Sequence, residues 1–293
     1  MIYHSAKDIL QHCQETNLPL HQLSLDAECQ LTGKSSEEIR LYLSDVLTAM
    51  FEAIELGLNT AHTEIKGKII GDDGIKLARR EAPICGETIA KAASYALSTM
   101  KVNAGMGRIV ASPTAGSCGV LPAVLKTLSE QRALSEDQLI DGLLVANVIG
   151  SLVARNATIS GAEGGCQAEV GTASAMAAGA AVYLAGGTAD QVFHAGAMAF
   201  KNLLGLVCDP IAGLVESPCA KRNAMGATNA LLCAEMSLAG IESIVPFDEV
   251  VEAMRRVGQA MPVALRETAL GGLAATPTAI QITTDLFKTS STF

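Results

Sequence analysis

The stretch "VGTASAMAAGAAVYLAGG", residues 170–187, decides between two folds. It is long and apolar enough to be taken for a membrane crossing. Ala and Gly supply most of it, however, and they give little of the transfer free energy that Leu, Ile and Phe lend to insertion. Small side chains instead let neighbouring helices approach closely. The expectation is a buried central helix in a mainly α protein with no place in a membrane.

Composition agrees with a tightly packed helical core. Of 293 residues, 49% are hydrophobic, 17% charged and only 3% aromatic, with no Trp. The core must therefore be assembled from Ala, Leu, Ile, Val and Met. This length fits one large domain, or one with a small extension. A formal net charge of −9 makes nucleic acid and anionic membrane poor partners. The opening "MIYHSAKDIL" lacks the apolar core of a secretory signal. A cytoplasmic location follows as an expectation, with the eight cysteines reduced.

Helix signatures recur on both sides of the central stretch. Ser35 and Glu38 form a capping box ahead of Ile39, Leu43, Val46, Met50 and Ile54, with Gly57 as the stop. Ser135 with Gln138, and Thr188 with Gln191, open two more helices. Asp248 is expected to cap a fourth, carrying Val250, Met254 and Val257. Strand patterns are nearly absent, and "KGKII" at 66–70 is the best of them. Residues 1–65 read as an N-terminal accessory helical segment. The passage "IKGKIIGDDGIKLARRE" reads as a flexible separator before a compact helical catalytic domain at 66–293, unless the two form one continuous domain.

The cysteines sort by their surroundings. Cys13 and Cys233 fall in apolar helical patterns and are expected in the core. Cys29 and Cys85 have no partner motif. Cys118 in "SPTAGSCG", Cys166 in "GAEGGCQAEVG", and Cys208 and Cys219 at the ends of "CDPIAGLVESPC" stand in segments punctuated by Gly and Pro. Glycine lets backbone N–H groups come near a sulfur, and Pro210 and Pro218 stiffen the loop between the last two. No C-x₂₋₄-C knuckle marks a structural zinc site, and common ferredoxin spacings are missing. Four thiols would bring in Cys118. Three would leave a metal position open for Lewis-acid chemistry. Spacing alone leaves both open.

The segments "SPTAGSCGVLPAVL", "ISGAEGGCQAEVG", "LGLVCDPIAGLVESPCAKRNAMGATNA" and "RETALGGLAATPT" follow one another in the chain. Over about residues 5–280 the sequence resembles the α chain of the iron–sulfur-dependent L-serine dehydratases of the two-chain type. The resemblance implies a [4Fe-4S] cluster held by Cys166, Cys208 and Cys219, whose fourth iron takes the hydroxyl of L-serine. Loss of water would give an enamine, then an imine, then pyruvate and ammonia, without pyridoxal phosphate. A separate β chain and an oligomeric enzyme are implied as well.

Other residues gain candidate roles beside that resemblance. In "SPTAGS", Ser112, Thr114 and Ser117 offer hydroxyls and Gly116 backbone N–H groups to a substrate carboxylate; the plainer alternative is a helix cap. In "KRN", Arg222 suits a carboxylate and Asn223 a substrate hydrogen bond, while Lys221 is the candidate base or a neutraliser of cluster charge. A charged run is more often plain solvated surface. Arg266 and Glu267 are weaker candidates to line the site. Single-chain relatives carry a His-Asn pair where this chain has Lys201-Asn202, and end in a cysteine where it ends "KTSSTF". Those departures leave the base and the resting fourth ligand open. His62 and His194 receive no catalytic role. Competing expectations are a related lyase acting on L-cysteine or L-threonine, a non-catalytic metal-binding scaffold, and a Cys–His hydrolase, for which no shared motif exists.

Overall fold

Three helices lead the chain: α1 (Ala6–Thr16), α2 (Leu20–Thr32) and α3 (Ser36–Leu58). The computed structural model describes residues 3–59 and 64–288. A short α4 (Asp73–Ala78) and α5 (Glu87–Ala104) follow, then α6 (Val120–Arg132), α7 (Glu136–Asn156) and a single turn, α8 (Gly161–Gly164). The remainder is α9 (Thr172–Leu184), α10 (Ala189–Lys201), α11 (Cys219–Leu238), α12 (Phe247–Ala260) and α13 (Pro277–Lys288). Among the described residues the sole β pairing is an isolated bridge between Cys208 and Arg266. The fold is mainly α, as composition suggested.

The Ala-rich stretch becomes α9, and α6, α7, α10 and α11 all pack against it. Every residue from Thr172 to Val182 is buried. Among the described residues, the helix long and apolar enough to cross a membrane is α7, with 61% of its apolar window buried inside the fold. Its inner face carries Leu143, Ala146, Ile149 and Val153, all buried.

Local chemistry sets the helix starts. Ser35 Oγ accepts from Glu38 N at 3.2 Å, and Glu38 Oε2 accepts from Ser35 N at 2.8 Å. The same reciprocal pair forms at Ser135 with Gln138 and at Thr188 with Gln191, which satisfies N–H groups that the first turn leaves without partners.

Three local expectations are corrected. Gly57 does not stop α3, which runs on to Leu58; a Cβ at Gly57 would overlap the Ser98 carbonyl of α5. Asp248 does not cap α12, which starts after Pro246. Its carboxylate accepts from Ala6 N at 2.8 Å and Lys7 N at 3.3 Å, at the start of α1. "KGKII" forms no strand, because the Glu216 carboxylate takes the N–H groups of Lys68, Ile69 and Ile70 at 3.0, 2.7 and 3.0 Å. The 65–81 passage is also fastened by the buried Lys101, whose ammonium meets Asp72 at 2.8 Å. It is therefore anchored, in place of the free separator that its glycines suggested.

Candidate active site

Cys166 opens a π-helical turn, Gln167–Gly171, that feeds α9. The turn is held to the segment before Cys208: Gln167 N donates to Leu206 O and Gln167 Oε1 accepts from Gly205 N, both at 2.9 Å. Cys208 sits in the bridge, its N–H donating to Leu265 O at 2.8 Å and its carbonyl accepting from Glu267 N at 2.7 Å. Cys219 is the first residue of α11. The three thiols are buried, at 3%, 4% and 7% exposure.

Electrostatics joins them into one site. Burial pushes the Cys166 and Cys219 thiols up to about 12, and Cys208 is raised by burial and then by Cys166 and Glu169. Arg222, one turn into α11, opposes this rise at Cys166 and Cys219 and hydrogen-bonds Cys166. Its guanidinium also donates to Val207 O and faces Asp209 Oδ1, each at 2.8 Å. Among the described residues, no three His, Cys, Asp or Glu side chains close on a point as the ligands of a single metal ion do.

The 112–117 loop lies against this site. Thr114 Oγ1 donates to Glu169 Oε1 at 2.7 Å and stands 3.2 Å from Ser117 Oγ. Ala115–Ser117 makes a 3₁₀ turn that leads into α6, so the helix-cap alternative describes its backbone. Ser112 Oγ is buried with no hydrogen-bond partner among the described residues. Asn223 ties the loop to α11: its Nδ2 donates to Gly116 O at 2.7 Å and Cys219 O at 2.9 Å, and its Oδ1 accepts from Gly119 N at 2.9 Å. Both amide hydrogens are thus engaged within the protein.

Other candidates lie apart. Lys221 Nζ meets Asp73 Oδ2 at 2.6 Å on α4, with its side chain 60% exposed. Arg266 Nη1 donates to Glu163 O at 3.5 Å, and its Nε is buried without a partner among the described residues. Glu267 is exposed. Cys118 packs in an apolar cluster with Met100 and Leu97, its Sγ 3.6 Å from Met100 Sδ. Cys233 is buried, and Cys13 packs against the core edge. His194 is tied to Ser243 N and Asp190. Lys201 bonds Ser243 O, and Asn202 bonds Asn229 Oδ1. His62 lies outside the described residues.

Sequence reasoning missed two carboxylates. Asp209 accepts from Leu273 N at 2.7 Å and faces Arg222. Glu169 is raised by burial, with its Thr114 bond opposing. Its signal was present, since a lone acid three residues after Cys166 in a glycine-rich passage has no solvated run to belong to.

Known proteins place this architecture. Residues 15–274 match the family described as "Serine dehydratase alpha chain". The chain is 45% identical over 289 residues to the "Probable L-serine dehydratase, alpha chain" of Bacillus subtilis (strain 168), covering 98% of this chain and 96% of that protein. It is also 45% identical to the "L-serine dehydratase, alpha chain" of Peptoniphilus asaccharolyticus, with 97% and 98% covered. The longer "L-serine dehydratase 2" of Escherichia coli (strain K12) is 39% identical over 93% of this chain and 61% of its own length. This chain belongs to the serine dehydratase alpha chain family.

Proposed function

We propose that this chain, with a separate β chain, acts as an L-serine ammonia-lyase, forming pyruvate and ammonia by dehydration with a [4Fe-4S] cluster on Cys166, Cys208 and Cys219. The observation that carries this is the convergence of three buried thiols, from three separate segments, around Arg222. Burial disfavours free thiolates there, and iron would supply the positive charge that favours them. Sulfurs on different corners of a cluster stand farther apart than the ligands of one ion, so the absence of a single-ion site among the described residues accords with the donor set. When bound, the cluster would supply an open Lewis-acidic iron to the departing hydroxyl.

The chain's own residues do the positioning. Ser112 has an unpartnered hydroxyl for the substrate carboxylate, and the first N–H groups of the 3₁₀ turn, at Ala115 and Gly116, precede its hydrogen-bond ladder. Ser117 completes the hydroxyl set, while Thr114 directs its own hydroxyl to Glu169. Asn223 fixes this loop at a set distance from Cys219. Arg222 holds positive charge beside the thiols. Lys221 is drawn to Asp73 at the surface, an arrangement that favours an ion pair over proton transfer. The printed names of the relatives, which separate an alpha chain from a longer single-chain enzyme, support the β partner.

The test is anaerobic purification with and without the β chain, followed by iron counting and pyruvate assay. Ser at Cys166, Cys208 or Cys219 should remove most iron and all dehydratase activity, whereas Cys233→Ser should keep its iron. A Cys208→Ser protein with four irons per chain sinks the assignment.

A further inference from the structure

L-Serine presents three groups, and the function proposed above accounts for two of them: the carboxylate at the 112–117 loop and the hydroxyl at iron. The α-ammonium has no assigned partner. It needs an anion that lies between the other two sites and carries no cation of its own.

Glu169 meets each condition. Its Oε1 accepts from Thr114 of the carboxylate loop at 2.7 Å. Its Oε2 lies on the thiol side: a Cβ on Gly161 would stand 2.6 Å from Oε2 and 3.2 Å from Cys208 Sγ. A Cβ on Gly116 would come within 3.0 and 3.1 Å of the two carboxylate oxygens. Two glycines therefore leave the room in which this carboxylate sits. Among the described residues no donor reaches Oε2, and no Lys, Arg or His pairs with Glu169. The neighbouring acids are otherwise disposed, Asp209 being engaged by Arg222 and Leu273 and Glu267 exposed. A carboxylate taken from water without a cation is costly, and an ammonium with three donors relieves that cost.

We propose that Glu169 is the ammonium subsite: Oε2 accepts a hydrogen bond from the substrate's α-ammonium, which selects an α-amino acid over the same acid lacking nitrogen. This rests on the function proposed above. Three attachment points around Cα, at loop, iron and Glu169, also fix its handedness.

The test compares Glu169→Gln with the unaltered αβ holoenzyme under anaerobic conditions. Gln keeps the side-chain shape and an acceptor for Thr114, so a merely structural role would survive the change. The probes are L-serine in steady state and 3-hydroxypropanoate, which is serine without its amine, by calorimetry. Loss of one charge-assisted hydrogen bond should raise KM for L-serine about ten- to a hundredfold. Binding of 3-hydroxypropanoate should stay within about twofold on the same argument, and iron content should be unchanged. Glu169→Asp, which keeps the charge, should recover part of the preference for the amine. Equal losses for both ligands, no loss for either, or missing iron in Glu169→Gln would each overturn the assignment. Unaltered enzyme that holds no iron or makes no pyruvate would instead overturn the function on which it rests.

Discussion

Asn223 makes three hydrogen bonds with one amide, and each joins a different piece of the site to α11. Truncation to Ala would strand the buried Gly119 N–H and the Gly116 carbonyl together. Each buried group left unsatisfied costs about 1–3 kcal/mol. Asn223→Ala is therefore expected to lower unfolding free energy by about 3 kcal/mol, read from the urea midpoint at constant slope. It should also reduce kcat/KM for L-serine, because the loop loses its fixed distance from Cys219. A stability loss below about 0.5 kcal/mol, the level of ordinary surface substitutions, would mean that the loop is held by other contacts.

Between elements, the closest approach described here is at Gly57, where α3 meets the Ser98 carbonyl of α5. Two effects compete in Gly57→Ala. Helix propensity favours Ala by about 1 kcal/mol. Overpacking against backbone, which cannot rotate away as a side chain would, costs about 1–3 kcal/mol and sometimes more. The clash should win, giving a less stable protein with unchanged helix content by circular dichroism. A stabilised Gly57→Ala would show that the two helices can slide apart freely. The same contrast explains what could be read from the chain. Capping boxes were legible because Ser35 and Glu38 complete each other within one turn. Asp248 was misplaced because its partners at α1 are 242 and 241 residues away. Glu216 captures "KGKII" from 146–148 residues off, which no local pattern announces. In the site, the thiols were marked by their own glycines and prolines, while Glu169 acquires its meaning only when Thr114 and Gly161 fold around it.

Taken as a whole, the molecule does not separate easily at residue 65. Leu47, Met50, Ala53 and Ile54 of α3 are buried, and α3 packs against α5, α6 and α7. Expressed alone, residues 66–293 should aggregate or show exposed apolar surface by dye binding. A monodisperse fragment with native helix content would establish the first 65 residues as a separable layer. A different kind of independence is built into the wide turn at Gln167–Gly171. Each residue of an α-helix rotates the next side chain by about 100°, so one additional residue resets the phase between Cys166 and α9. The thiol can then be aimed without rotating the Ala-rich face out of its packing. Deletion of one residue here would restore a regular helix and leave either the sulfur or the core face out of register. In the language of alignments, this turn is an inserted letter, and a relative with a gap at this column would have its first thiol facing away from the other two.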